Sequence, residues 1–127
     1  MPTPSQRVLL VEDDQTTRAV TAAALRNAGL VVLEAKTGEE ALDWLISPPD
    51  VLFTDIRLPG EVDGWDVAER FRAIDPRLPV IYATAFRKTQ TPVPGSLFFR
   101  KPYKVQQVVL GIRAMTGGRA AILQPPR

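Results

Sequence analysis

The sequence predicts a doubly wound α/β fold with five parallel strands in the order 2-1-3-4-5. Three observations predict it. Five short runs rich in Val, Ile, Leu and Phe recur along the 127 residues. Stretches of helical period separate most of them, and such alternation builds a parallel sheet covered on both faces. Every run but the second is followed at once by polar residues of the kind that line a ligand crevice.

Residues 1–6 read as a flexible terminus. Arg7-Val8-Leu9-Leu10-Val11 is the first strand, and Glu12-Asp13-Asp14 follows it. Thr17, Val20, Ala24 and Ala28 recur at helical spacing and predict a small-residue face against the sheet, with Gly29 as the stop. Leu30 to Ala35 is the second strand. Thr37 predicts a helix N-cap with Glu40 closing a capping box, and that helix runs through Leu45 until Pro48-Pro49 forbids it. Val51-Leu52-Phe53-Thr54 is the third strand, ended by Asp55, with Pro59-Gly60 turning the chain. A third helix carries Trp65, Ala68 and Phe71 and stops before Pro76. The fourth strand lies within Pro79 to Thr84. Pro92, Pro94 and Gly95 leave no room for an ordinary helix before the fifth strand, Leu97-Phe98-Phe99-Arg100, so the helix expected there is absent or reduced to a turn. A last helix shows Val105, Val108, Val109 and Ile112 on one face, and Gly117-Gly118 predicts its end, with residues 117–127 as a flexible tail. Right-handed crossovers leave few ways to connect such elements, and five strands suit the flavodoxin-like arrangement, which opens its crevice between strands 1 and 3.

Composition narrows the chemistry. The chain holds no cysteine and no histidine, so disulfides, thiol chemistry and a phosphohistidine on this chain are excluded. A net charge of +2 argues for neither nucleic acid nor a membrane surface. No apolar run reaches the length of a membrane span, and no leader pattern opens the sequence, which makes the cytoplasm the expected location.

Glu12, Asp13 and Asp14 follow strand 1, Asp55 follows strand 3, Thr84 ends strand 4 and Lys101 follows strand 5. Singly, each has a commoner reading: helix cap for Asp13 or Asp14, turn residue for Asp55, strand end for Thr84, solvated charge for Lys101. Together they gather at one edge of the sheet. Crowded carboxylates repel and rise in pKa. A hard cation such as Mg²⁺ relieves them and completes its octahedron with waters and phosphate oxygens. An aspartate beside it can attack phosphorus and form an acyl phosphate, with Lys101 neutralising charge and Thr84 donating a hydrogen bond.

These residues resemble the receiver domains of two-component response regulators. Val8-Leu9-Leu10-Val11-Glu12-Asp13-Asp14 resembles the family's acidic first loop. Asp55-Ile56-Arg57-Leu58-Pro59 with Asp63-Gly64 resembles its phosphoacceptor loop, Val80-Ile81-Tyr82-Ala83-Thr84-Ala85 its switch strand, and Lys101-Pro102-Tyr103 its Lys-Pro end. The resemblance covers about residues 7–116. It implies that Asp55 is phosphorylated, that Asp13 binds Mg²⁺ directly and Glu12 through water, and that the Arg57 backbone carbonyl is a further ligand. It also implies that Thr84 and Lys101 hold the phosphoryl oxygens, that Phe98 is the aromatic switch position, and that the Lys101–Pro102 bond is cis.

Three features depart from the family. Phe98 lacks the hydroxyl of the frequent tyrosine. The Asp55 loop is one residue longer, through Gly60-Glu61-Val62. The segment between Thr84 and Lys101 is short and proline-bearing, as in stand-alone bacterial receivers with Tyr-Ala-Thr in strand 4. Nothing after residue 116 is long enough to hold a DNA-binding domain. The expected function is therefore a single-domain regulator that accepts a phosphoryl group from a histidine kinase or phosphotransfer protein and signals by binding an unidentified protein. It would catalyse only its own phosphorylation and dephosphorylation. Arg57 and Phe86, two residues after Asp55 and Thr84, are expected to flank the phosphoryl group, with Phe86 restricting in-line water. Two rival readings are a phosphorylation-independent adaptor and a small Mg²⁺-dependent phosphohydrolase. The second would need an acid two residues after the nucleophile, where Arg57 stands.

Overall fold

The computed structural model describes residues 5–85 and 90–123. Its elements are β1 (Arg7–Val11), α1 (Gln15–Asn27), β2 (Val31–Ala35), α2 (Gly38–Leu42) with a 3₁₀ turn (Asp43–Ile46), β3 (Val51–Asp55), α3 (Gly64–Ile74), β4 (Val80–Thr84), β5 (Leu97–Arg100) and α4 (Val105–Leu123). The five strands are parallel in the order β2-β1-β3-β4-β5. This is the expected flavodoxin-like arrangement.

Strand side chains alternate between faces, and the core divides accordingly. Leu9, Val11, Leu52, Val80 and Tyr82 pack toward Trp65, Ala68 and Phe71 of α3. Val8, Leu10, Val51, Phe53, Ile81 and Ala83 pack toward Ala22 and Leu25 of α1 and Val108 and Ile112 of α4. β3 and β4 are buried at every position, as central parallel strands covered on both faces must be. No helix among the described residues is long and apolar enough to cross a membrane.

Several local expectations need correction. The buried face of α1 is Thr21, Ala22 and Leu25, whereas Val20 is 59% exposed. Leu25, Ala22 and the hydrogen bond between Thr21 and Tyr103, 3.0 Å, set this face against the sheet, and Thr17, Ala24 and Ala28 of the expected face are half-buried. Thr37 caps α2 as expected, but the Glu40 carboxylate accepts from the Lys36 N–H and not from that of Thr37. The second half of that segment tightens into the 3₁₀ turn before Pro48. A reciprocal capping box forms instead at α3, between Asp63 and Asp66. The last helix does not stop at Gly117-Gly118 but continues to Leu123. A glycine weakens a helix by only about 1 kcal/mol, and the alanines that follow are good helix formers.

The β4–β5 connection, in its described residues 85 and 90–96, contains no helix. It is held instead by the Tyr82 hydroxyl, which accepts from the Val93 N–H at 3.1 Å. Val93 is buried beneath it.

Candidate functional site

Sheet register sets the site. Val11 lies opposite Thr54, so the next residues, Glu12 and Asp55, emerge level with each other at the carboxyl edge. Asp55 pairs with Ala83, which places Thr84 one step beyond on the adjacent strand. Thr84 pairs with Arg100, and the Lys101 N–H continues the ladder to the Thr84 carbonyl at 2.9 Å. Residues far apart in sequence are thereby fixed by backbone.

Lys101 Nζ donates to Asp55 Oδ2 at 3.0 Å and also to Glu12 Oε1. Glu12 and Asp55 are nearly fully buried, at 3% and 8% exposure. Carboxylate oxygens of Glu12, Asp13 and Asp55 all lie within 4.8 Å of one another. Asp14 is the helix cap: its carboxylate accepts from the Thr17 N–H at 2.8 Å. Asp13 is thereby left to the cluster. Burial pushes the Glu12 carboxyl above its ordinary value, the Asp55 charge adds to this, and the Lys101 hydrogen bond opposes it. For Lys101, burial alone would lower the pKa. The bonds to Glu12 and Asp55 outweigh it and hold the ammonium above its ordinary value. The arrangement joins three clustered oxygen donors to a fixed cation. Such a donor set suits a hard divalent ion such as Mg²⁺.

The other expected residues fall around this centre. Arg57 is exposed, and its N–H donates to Asp55 Oδ1 at 3.3 Å. Thr84 is buried at the end of β4. Phe98 lies on β5, 38% exposed, its ring 6.4 Å from that of Tyr82. The Lys101–Pro102 peptide is cis. Phe86 lies outside the described residues.

Sequence reasoning missed three supports. Arg18 donates to the Glu12 carbonyl at 2.8 Å, and the Asp14 N–H donates to Glu12 Oε2 at 3.2 Å. Gly64 lies against the phosphoacceptor-like loop. A Cβ there would meet the Asp55 carbonyl oxygen at 2.1 Å and Ile56 Cα at 2.7 Å. The Gly64 N–H also donates to the Ile56 carbonyl at 2.8 Å. The Asp63-Gly64 pair carried that signal, yet it reads equally well as a turn.

Comparison with known proteins agrees with this geometry. The sequence profile of the response regulator receiver domain matches residues 8–96. The transcriptional regulator NtrC of Klebsiella pneumoniae is 36% identical over 106 residues, covering 79% of this chain and 22% of NtrC. The probable transcriptional regulatory protein TcrX of Mycobacterium tuberculosis is 31% identical over 114 residues, covering 85% of this chain and 48% of TcrX. The chain thus spans a half or less of these relatives. A response regulator receiver protein from Sinorhizobium medicae superposes with a TM-score of 0.84 at 28% identity, over 91% of this chain and 97% of that one. With the fold, the strand-end residues and the matched profile in agreement, this chain belongs to the receiver domain family of two-component response regulators.

Proposed function

We propose that Asp55 accepts a phosphoryl group from a phosphohistidine on a histidine kinase or histidine phosphotransfer protein, and that the phosphorylated chain acts by binding another protein. The observation that carries this reading is the placement of the Lys101 ammonium against both Asp55 and Glu12. An Asp55 oxygen attacks phosphorus, the P–N bond breaks, and its electron pair returns to the partner's imidazole. Lys101 moves from its carboxylates toward a phosphoryl oxygen and offsets the charge that builds there. Thr84, one residue beyond the partner of Asp55 on β4, holds a second oxygen. Glu12, Asp13, Asp55 and the Arg57 carbonyl would hold Mg²⁺, which when bound neutralises the crowded carboxylates and incoming phosphoryl oxygens. Phe98 serves as the aromatic switch position.

Beryllofluoride, a phosphoryl mimic, tests the reading. With millimolar Mg²⁺ it should raise the melting temperature of the native chain and leave Asp55→Asn unmoved. No rise in the native chain would favour the adaptor reading, in which the fold signals without phosphorylation.

A further inference from the structure

The two edges of the sheet are treated differently. Along β2, Arg26 donates to the Val32 carbonyl at 3.0 Å and pairs with Glu34 at 3.1 Å, and Arg18 pairs with Glu34 at 3.4 Å. Charged side chains laid over an edge in this way obstruct further strand pairing. Along β5, no side chain among the described residues bonds the outer edge. The Lys101 N–H points inward to Thr84. Alternation along a strand therefore turns the N–H and C=O groups of Phe98 and Arg100 outward. On this strand Leu97 and Phe98 are 36% and 38% exposed.

Charge singles out the same side of the molecule. All 14 aspartates and glutamates lie within residues 1–75, while residues 76–127 hold nine of the 16 lysines and arginines and no acid. β4, β5 and α4 all come from that basic half. Arg100 and Lys104 are exposed there. The small overall net charge conceals this division. A basic field beside an unguarded edge steers an acidic partner toward it.

We propose that the open edge of β5 takes an acidic, extended segment of a partner protein as a sixth strand. The main-chain groups of Phe98 and Arg100 would supply the ladder. Leu97, on the face opposite Arg100, would cover apolar side chains of the segment, and Arg100 and Lys104 would meet its carboxylates. Free N–H and C=O groups in a row favour a polypeptide over a nucleic acid or an anionic membrane, neither of which can continue a ladder. The proposal does not depend on phosphorylation of Asp55, so it can be tested on Asp55→Asn as well as on the native chain.

The probe is a fluorescein-labelled peptide of alternating Glu and Val. Controls are the matching Lys and Val peptide, a single-stranded oligonucleotide and vesicles of phosphatidylglycerol. The Glu–Val peptide should bind on the order of tenfold or more tightly than the Lys–Val peptide, and more weakly as salt rises. It should slow amide exchange at Phe98 and Arg100. Arg100→Glu should weaken it by roughly tenfold, with melting used to confirm that the variant folds. If that variant does not fold, the exchange pattern of the native chain decides. Protection on β2, equal binding of the two peptides, or tighter binding of oligonucleotide or vesicles would overturn the proposal. So would self-association of the chain through β5 in sedimentation, which would make a second copy the occupant.

Discussion

The ammonium of Lys101, beyond the edge strand, lies 3.0 Å from Asp55 Oδ2 at the centre of the sheet. Its two carboxylate partners, Asp55 and Glu12, are the same groups that the proposed Mg²⁺ would draw on. Lys101→Met should therefore have two effects. Glu12, buried, loses its charge partner, and stability without metal falls by about 1–3 kcal/mol. Mg²⁺ then meets no competing cation, so it should raise the melting temperature of the variant more than that of the native chain. Thermal unfolding with and without Mg²⁺ measures both, and a smaller Mg²⁺ shift in the variant would contradict the competition.

Gly64 supports the same centre from below. The Cβ of Gly64→Ala would press on backbone atoms of Asp55 and Ile56, which cannot swing aside as a side chain would. The variant should lose about 1–3 kcal/mol in urea unfolding. An unchanged midpoint would show that the start of α3 shifts freely.

Tyr82 ties the β4–β5 connection to the sheet through the Val93 N–H. Tyr82→Phe leaves the buried Val93 N–H unpaired, at a cost of about 1–3 kcal/mol. Amide exchange at Val93 should accelerate in the variant. Exchange as slow as in the native chain would mean that the connection is held otherwise.

The α3 cap carries a pH dependence. Burial raises the Asp63 carboxyl above its ordinary value of 3.8, and the Asp66 charge adds to this while the Asp66 N–H pulls it back. A carboxyl with a raised folded pKa contributes stability that is complete below pH 3.8 and is lost as pH rises through the folded value. Asp66→Asn keeps an oxygen for the Asp63 N–H and removes the like charge. Denaturation between about pH 3.5 and about pH 7 should show the native chain losing stability relative to the variant as pH rises. Parallel profiles would contradict the repulsion.

The strands and their terminal residues were legible because a short apolar run, and the polar residue after every run but the second, are local signals. Glu12, Asp55, Thr84 and Lys101 could be placed at one edge from topology alone. The buried face of α1 was not legible, because the Thr21–Tyr103 bond joins residues from opposite ends of the chain. The role of Gly64 was hidden because close backbone approach leaves no mark beyond the glycine itself. The Tyr82–Val93 bond was hidden too, since a tyrosine in a buried strand reads only as packing. The continuation of α4 past Gly117 shows that two glycines are a weaker stop than a proline.

Chemical trapping tests the central claim most directly. The chain is incubated with acetyl phosphate and Mg²⁺, reduced with borohydride and digested, and its peptides are weighed. An acyl phosphate at Asp55 becomes homoserine at that position, and the account predicts this conversion only when Mg²⁺ is present. Homoserine at another acidic residue, or its absence at Asp55 when the donor is consumed, would contradict it.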